Sequence, residues 1–214
     1  MSSKHRALAV AATTSLLTGC AAQSASTNTD STPTRTRGHV ANGLAYSTAS
    51  ANPVQRMPAP GSCHYQGTRL FAAPDPHCAP GALNPAVTPA TLKRTICRPG
   101  GYTGSVRPAE RVTEPEKQAL MAAYGNHAPL SRVELDHVVS LGDGGAVNDV
   151  RNLYPEPNYP GVSPDSYYRN PKDRLEDRTH ELVCTGRLSL ARAQMALAHD
   201  WPASYRRYVE GRER

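Results

Sequence analysis

The segment Glu134–Pro157, which reads ELDHVVSLGDGGAVNDVRNLYPEP, is the most informative part of the chain. It opens on a β-prone piece that ends in an adjacent acid and imidazole, Asp136 and His137. The glycine-rich stretch Gly142–Gly145 follows, and glycine permits the positive φ angles of a tight turn. Asn152 comes next, in an asparagine-containing stretch. An acid, an imidazole and an amide in this order indicate a site that hydrolyses phosphodiesters.

Phosphodiester hydrolysis needs an activated water and a group that stabilises negative charge on the phosphate. Histidine has an ordinary pKa of about 6.5, so neutral His137 can take a proton from water. Asp136 offers a hard oxygen ligand that suits Mg²⁺ or Mn²⁺, with Zn²⁺ as an alternative. An Asp-His pair by itself is more often a surface turn or a buried polar pair. The β piece, the Gly-Gly turn and the asparagines around it favour the catalytic interpretation.

This segment resembles the HNH, or ββα-metal, nuclease motif. Further stretches, among them KDRLEDRTHELVC and LARAQMALAHDW, extend the likeness to a group of secreted bacterial HNH-like proteins over nearly all of residues 61–201. The resemblance implies an α+β fold: a small ββα-metal (HNH) core, with its motif over residues 132–184, in a mainly helical, disulfide-clipped single domain. It also implies that Asp136 binds the metal, that His137 is the general base, and that Asn152 ties the loop together and orients the histidine.

The chain departs from the family after the middle asparagine, where the HNH motif places a helix with a second metal ligand. A Pro-rich stretch, residues 155–164, stands there instead. The candidates for the second ligand lie on the helix predicted after it: Asn170, Asp173, Glu176 and His180. We favour Glu176. The ordinary alternative is that Asp173 and Glu176 complement the dipole of a helix N-terminus and that Glu176 pairs with Lys172 one turn away.

Local sequence signals predict four helices, three of them with a cap. Thr113 and Glu116 form a capping-box pattern, which predicts a helix that begins at the threonine. Asn170 precedes a proline and predicts a second helix, with the asparagine as its N-cap. Ser189 predicts the start of a third helix. A short fourth helix is expected after Pro202.

Four cysteines besides Cys20 form an even set, and in an exported protein such a set indicates two disulfides: Cys63, Cys78, Cys97 and Cys184. Spacing does not choose among the three possible pairings. We favour a local disulfide between Cys63 and Cys78 and a long-range disulfide between Cys97 and Cys184. The alternative is a zinc site, which His64 and His77 could join, although no CxxC spacing is present.

The N-terminus predicts export and a lipid anchor. Lys4 and Arg6 precede an apolar run that is too short to span a bilayer. The sequence LTGC then places Cys20 where bacterial lipoproteins carry their lipid, so residues 1–19 are predicted to be a lipoprotein signal peptide; an ordinary secretory signal is the alternative. Residues 20–60 contain few large apolar groups and predict a flexible linker. The expected location is the bacterial cell envelope, facing outside the cytoplasm, with the HNH-like domain over residues 61–214.

The charge permits nucleic acid as a partner. The formal net charge is +6, and it falls to +4 when the predicted signal peptide, with Lys4 and Arg6, is removed. Four arginines near the motif are candidates for phosphate contacts, with a solvated helix face as the alternative: Arg151, Arg169, Arg174 and Arg178.

The sequence therefore supports two alternative hypotheses for the function. The first is a metal-dependent endonuclease that cuts DNA or RNA with little sequence specificity, for which an immunity protein is a possible partner. The second is an inactive envelope lipoprotein that keeps the HNH scaffold for binding.

Overall fold

The chain divides into residues 1–36 and a second compact unit, residues 37–214. A computed structural model describes, within the second unit, residues 40–41, 43–48, 55–68, 70–158 and 170–212. The predictions for the signal peptide, for the lipidation of Cys20 and for Arg169 lie outside the described residues. No helix of the described part is long and apolar enough to cross a membrane.

The described residues form a mixed α+β structure with short strands, as predicted. The described ranges contain seven strands: β1 (Val40–Ala41), β2 (Leu44–Tyr46), β3 (Gln66–Thr68), β4 (Phe71–Ala73), β5 (Ala82–Leu83), β6 (Val133–His137) and β7 (Leu153–Pro157). The four α-helices are α1 (Glu110–Ala123), α2 (Pro171–Cys184), α3 (Leu190–Ala198) and α4 (Trp201–Tyr208).

The strands make three small sheets. β2 pairs with β1 antiparallel and with β5 parallel, while β3 and β4 form an antiparallel pair. The third sheet matters most for the site: β6 and β7 are antiparallel, with Asp136 opposite Tyr154 and His137 opposite Leu153. Two strands and then the helix α2 therefore follow one another along the chain.

The predicted linker over residues 20–60 is wrong at its C-terminal end. β1 and β2 lie inside it, and Leu44 is buried against Leu83 and Trp201. Gln55 also lies inside it and donates to the Asn148 carbonyl at 3.0 Å. A few apolar residues in a polar stretch are enough here because β5 offers a strand edge to pair with. The folded part thus begins before Gly61.

The helix starts were predicted with unequal success. α2 begins after Asn170 and α3 after Ser189, whose hydroxyl accepts from the Arg192 amide, as predicted. α1 begins at Glu110 rather than Thr113, so the threonine is not its N-cap. α4 begins at Trp201, one residue before the predicted proline.

Both predicted disulfides are present, Cys63–Cys78 and Cys97–Cys184. The second joins the segment after a 3-10 helix, Pro89–Arg94, to the last residue of α2. Because all four sulfurs are used in these bonds, the alternative of a cysteine zinc site is wrong.

Candidate functional site

Asn152 fastens the loop between β6 and β7. Its side chain is fully buried, and its amide oxygen accepts from the backbone N–H of Val139 at 2.9 Å and of Ala82 at 3.3 Å. Its amide nitrogen donates to the carbonyls of Val139 and Ala146, each at 3.0 Å. Gly145 is required in the same loop, since a Cβ there would lie 1.8 Å from the Val139 carbonyl oxygen. Asn152 is thus placed to tie the loop together, one of the two roles predicted for it.

The other role predicted for Asn152 was to orient His137, but a backbone carbonyl holds the histidine ring instead. Nε2 of His137 lies 3.0 Å from the carbonyl oxygen of Val147. A carbonyl only accepts hydrogen bonds, so Nε2 carries the proton and Nδ1 of the neutral ring is the free base. Burial lowers the pKa of His137 to about 4. The ring is therefore neutral at neutral pH, with Nδ1 unprotonated.

An acidic cluster lies beside this histidine. Glu134 and Asp136 alternate along β6 and so share one face of the hairpin, and the register places Glu156 opposite Glu134. The first turns of α2 add two more carboxyl groups. We call this set the acidic cluster: Glu134, Asp136, Glu156, Asp173 and Glu176.

The ammonium of Lys172 lies within the acidic cluster. The side chain is fully buried, and Nζ is 2.6 Å from Oδ2 of Asp136 and forms a second ion pair with Glu176. It also donates to the carbonyl oxygen of His137 at 2.6 Å. Burial disfavours the ammonium, but the carboxylates of Asp136 and Glu176 outweigh that effect and raise the pKa of Lys172. The lysine thus joins the start of α2 to the end of β6.

One ammonium does not balance five carboxyl groups. Burial, with repulsion from Asp136, raises the pKa of Glu134 to about 8 and that of Asp173 to about 6. The same two causes raise the pKa of Glu156 well above its ordinary value. Burial also raises the pKa of Glu176, although Lys172 opposes it. The cluster therefore has a high affinity for positive charge near neutral pH, whether protons or a cation.

Two polar atoms in and beside the cluster have neither a hydrogen-bond nor an ion-pair partner among the described residues. They are Oε2 of Glu156 and the hydroxyl of Tyr154, and both residues are buried. Unpaired carboxylate and hydroxyl oxygens are suitable ligands for a hard divalent cation. In the described part of the chain, however, no three His, Cys, Asp or Glu side chains are arranged to hold a metal ion, because Lys172 occupies the space between Asp136 and Glu176. The donors fit Mg²⁺ or Mn²⁺ by their chemistry and charge.

Two of the metal ligands predicted from the sequence, His180 and Asn170, are bonded to other groups. His180 is held at the loop after β6, with Nδ1 2.8 Å from the Gly142 carbonyl oxygen. Asn170 is buried at the N-cap of α2, where its backbone N–H bonds to the carboxylate of Asp173. Of the predicted set, the structure brings Asp136, Asp173 and Glu176 together.

Three of the predicted phosphate-binding arginines have partners inside the protein. Arg151 pairs with Asp149 at 2.6 Å, and Arg178 pairs with Glu181 at 2.7 Å. Arg174 donates to the hydroxyl of Tyr205 at 2.9 Å.

A different arginine, Arg107, lies near the site. It is exposed, and its positive charge lowers the pKa of both Glu134 and His137, although burial has the larger effect on each. No sequence pattern pointed to Arg107, since it precedes α1 and is far from the motif along the chain.

No protein-family model, curated protein or solved structure matches the chain.

Proposed function

We propose that this protein is a metal-dependent endonuclease of the HNH type, which hydrolyses DNA or RNA with little sequence specificity. The observation that carries the proposal is the meeting of a neutral, buried histidine, His137, with the acidic cluster. Two strands followed by a helix, β6, β7 and α2, supply these groups, and this order supports the likeness to a ββα-metal core.

Each residue of the candidate site has its own role in the proposed hydrolysis. Nδ1 of His137 accepts the proton of the attacking water while the Val147 carbonyl fixes the ring through Nε2. Asp136 and Glu156 are the carboxylates that would hold the divalent cation, which when bound neutralises charge on the phosphate. Arg107 contacts the phosphate from the exposed side. Lys172 positions Asp136 and the end of β6 through its bonds to both.

Export and lipid anchoring complete the proposal. Two disulfides are typical of proteins that fold outside the cytoplasm. The sequence LTGC around Cys20 supports attachment of a lipid and hence a position on the outer side of a membrane in the cell envelope.

The test is cleavage by the full-length protein. Supercoiled plasmid DNA and a structured RNA would each be incubated with Mg²⁺, Mn²⁺, Zn²⁺ or EDTA. The matched variants are His137→Ala and His127→Ala, because His127 is an exposed histidine outside the motif. We expect metal-dependent cleavage that is lost in His137→Ala and kept in His127→Ala. A folded protein that cuts neither polymer with any metal would contradict the proposal and favour a binding role for the same scaffold.

A further inference from the structure

A groove lined by cations lies along α3 and α4, outside the site described above. Its volume is about 880 Å³. The positively charged groups that line it are Arg192, Arg206, Arg207 and Arg212, with His199 in the turn between the two helices. We call it the arginine groove.

The arginines of this groove are available to a ligand. Among the described residues, Arg192, Arg206 and Arg207 form no ion pair. One acid lines the groove, Asp200, and its carboxylate already caps α4 by accepting from the Ala203 amide at 2.9 Å. Arg212 lies 3.6 Å from Glu210, an exposed pair that contributes little. The groove thus differs from Arg151, Arg174 and Arg178, whose guanidinium groups have internal partners.

The wall of the groove also offers an aromatic surface. Tyr208 lines it, and the guanidinium of Arg207 lies 5.4 Å from the centre of the tyrosine ring. Met195, Ala196 and Ala203 add apolar contacts. Positively charged grooves with an aromatic ring are typical of surfaces that bind single-stranded nucleic acid, where the cations meet phosphates and bases stack on the ring.

We propose that the arginine groove binds the backbone of single-stranded nucleic acid, with a base packed against Tyr208. The concave shape and the aromatic ring favour a single strand, whose unpaired bases are free to pack against Tyr208, over a duplex or a flat bilayer surface. The groove consists of residues separate from His137 and the acidic cluster. Binding there is therefore independent of hydrolysis, and either proposal can fail without the other.

The experiment is fluorescence anisotropy of the full-length protein with a labelled oligothymidine of about 12 nucleotides. It is done in EDTA over a series of salt concentrations, and a gel checks that the oligonucleotide stays intact. The variant Arg192→Ala/Arg206→Ala/Arg207→Ala is compared with Lys93→Ala/Arg94→Ala/Arg111→Ala. The control removes the same charge from exposed residues outside the groove.

We expect the groove variant to bind at least about tenfold more weakly than wild type, with a slope of log K against log salt that is shallower by about 2. The control should stay within about twofold of wild type at the ionic strength used, about 0.1 M. Tyr208→Ala should weaken binding, and Tyr208→Phe, which keeps the ring, should restore it. Thermal unfolding confirms that each variant is folded.

Equal binding by the groove variant and the control would overturn the proposal. So would tighter binding to vesicles that contain phosphatidylglycerol than to the oligonucleotide, since that result would make the groove a membrane-docking surface. A stronger preference for duplex DNA over the single strand would overturn it as well.

Discussion

Lys172 is the residue on which the charge balance of the candidate site depends. Its ammonium is the buried cation of the acidic cluster and pairs with Asp136 and Glu176. Removing one partner of a buried ion pair costs about 3–5 kcal/mol, because the remaining charge is left without compensation. One of the charges that would remain here is Glu176, whose pKa is already raised by burial.

The variant Lys172→Met should therefore be destabilised in a pH-dependent way. Between pH 5 and pH 8 the cluster loses protons, since the pKa of Asp173 is about 6 and that of Glu134 about 8. Loss of the ammonium should cost about 3–5 kcal/mol at the higher pH and clearly less at the lower pH. Urea unfolding in EDTA at both pH values measures the difference. The exposed Lys93→Met is the control, and an equal loss at both pH values would contradict this account.

Asp143 gives a second pH dependence, in the loop after β6. Its side chain is fully buried, and Oδ2 accepts hydrogen bonds from Ser140 and Thr179. Oδ1 has no hydrogen-bond partner among the described residues. Burial raises its pKa to about 6. A carboxyl group whose pKa is raised by folding binds its proton more tightly in the folded state than in the unfolded state. The proton on Asp143 therefore stabilises the fold fully below the unfolded pKa of about 3.9, and this stabilisation is lost as pH rises through 6.

The variant Asp143→Asn should remove that dependence. The free energy of unfolding of wild type, relative to the variant, should fall by about 3 kcal/mol between pH 4 and pH 8. Asparagine keeps an oxygen for Ser140 and Thr179 and cannot ionise. Denaturant unfolding of both proteins across this range tests the prediction, and a constant difference between them would show that Asp143 is not the titrating group.

At the scale of elements, α1 shows where local signals fail. Thr113 and Glu116 fit a capping box, yet the helix begins at Glu110. The threonine hydroxyl bonds back to the Glu110 carbonyl at 3.4 Å, and the glutamate is buried with an oxygen 3.0 Å from Asn148. Glu116, which the pattern assigned to the cap, thus accepts a hydrogen bond from the loop between β6 and β7 instead. The starts of α2 and α3 were predictable because proline and serine act locally there.

The disulfide between Cys97 and Cys184 should stabilise the fold more than the one between Cys63 and Cys78. The sequence separations are 87 and 15 residues, and a longer loop loses more entropy when it is closed in the unfolded chain. Replacing both cysteines by serine should cost about 4.6 kcal/mol for the long loop and about 3 kcal/mol for the short one. Guanidinium unfolding of the two double variants tests the order. The reverse order would show that native-state contacts, rather than loop length, determine the effect.

At the scale of the whole molecule, the sequence predicted the part of the candidate site whose residues lie close together along the chain. Asp136, His137 and Asn152 were recognisable because the hairpin keeps them within one segment. The approach of Lys172 to Asp136, the pairing of Glu134 with Glu156 and the position of Arg107 were not predictable. They depend on strand register and on the packing of α2 and of the segment before α1, which no local pattern encodes.

Membrane attachment is also a property of the whole molecule. If Cys20 carries the lipid, the wild-type protein expressed in a bacterial host should fractionate with membranes, and Cys20→Ala should leave the membrane fraction or keep an uncleaved signal. Several acyl chains anchor firmly because each buried CH₂ contributes about 0.8 kcal/mol. Fractionation and intact-mass measurement test this, and an unmodified Cys20 in mature wild-type protein would favour an ordinary secretory signal.

The central claim is that one site combines a cation held by the acidic cluster with His137 as the base. The most direct test is the rate of plasmid nicking as a function of Mn²⁺ concentration for wild type, Glu156→Gln and His137→Ala. We predict that Glu156→Gln raises the Mn²⁺ concentration for half-maximal rate by about tenfold or more. His137→Ala should lower the maximal rate by at least about 100-fold. Wild-type nicking by His137→Ala, or a Glu156→Gln curve that superimposes on wild type, would contradict the account.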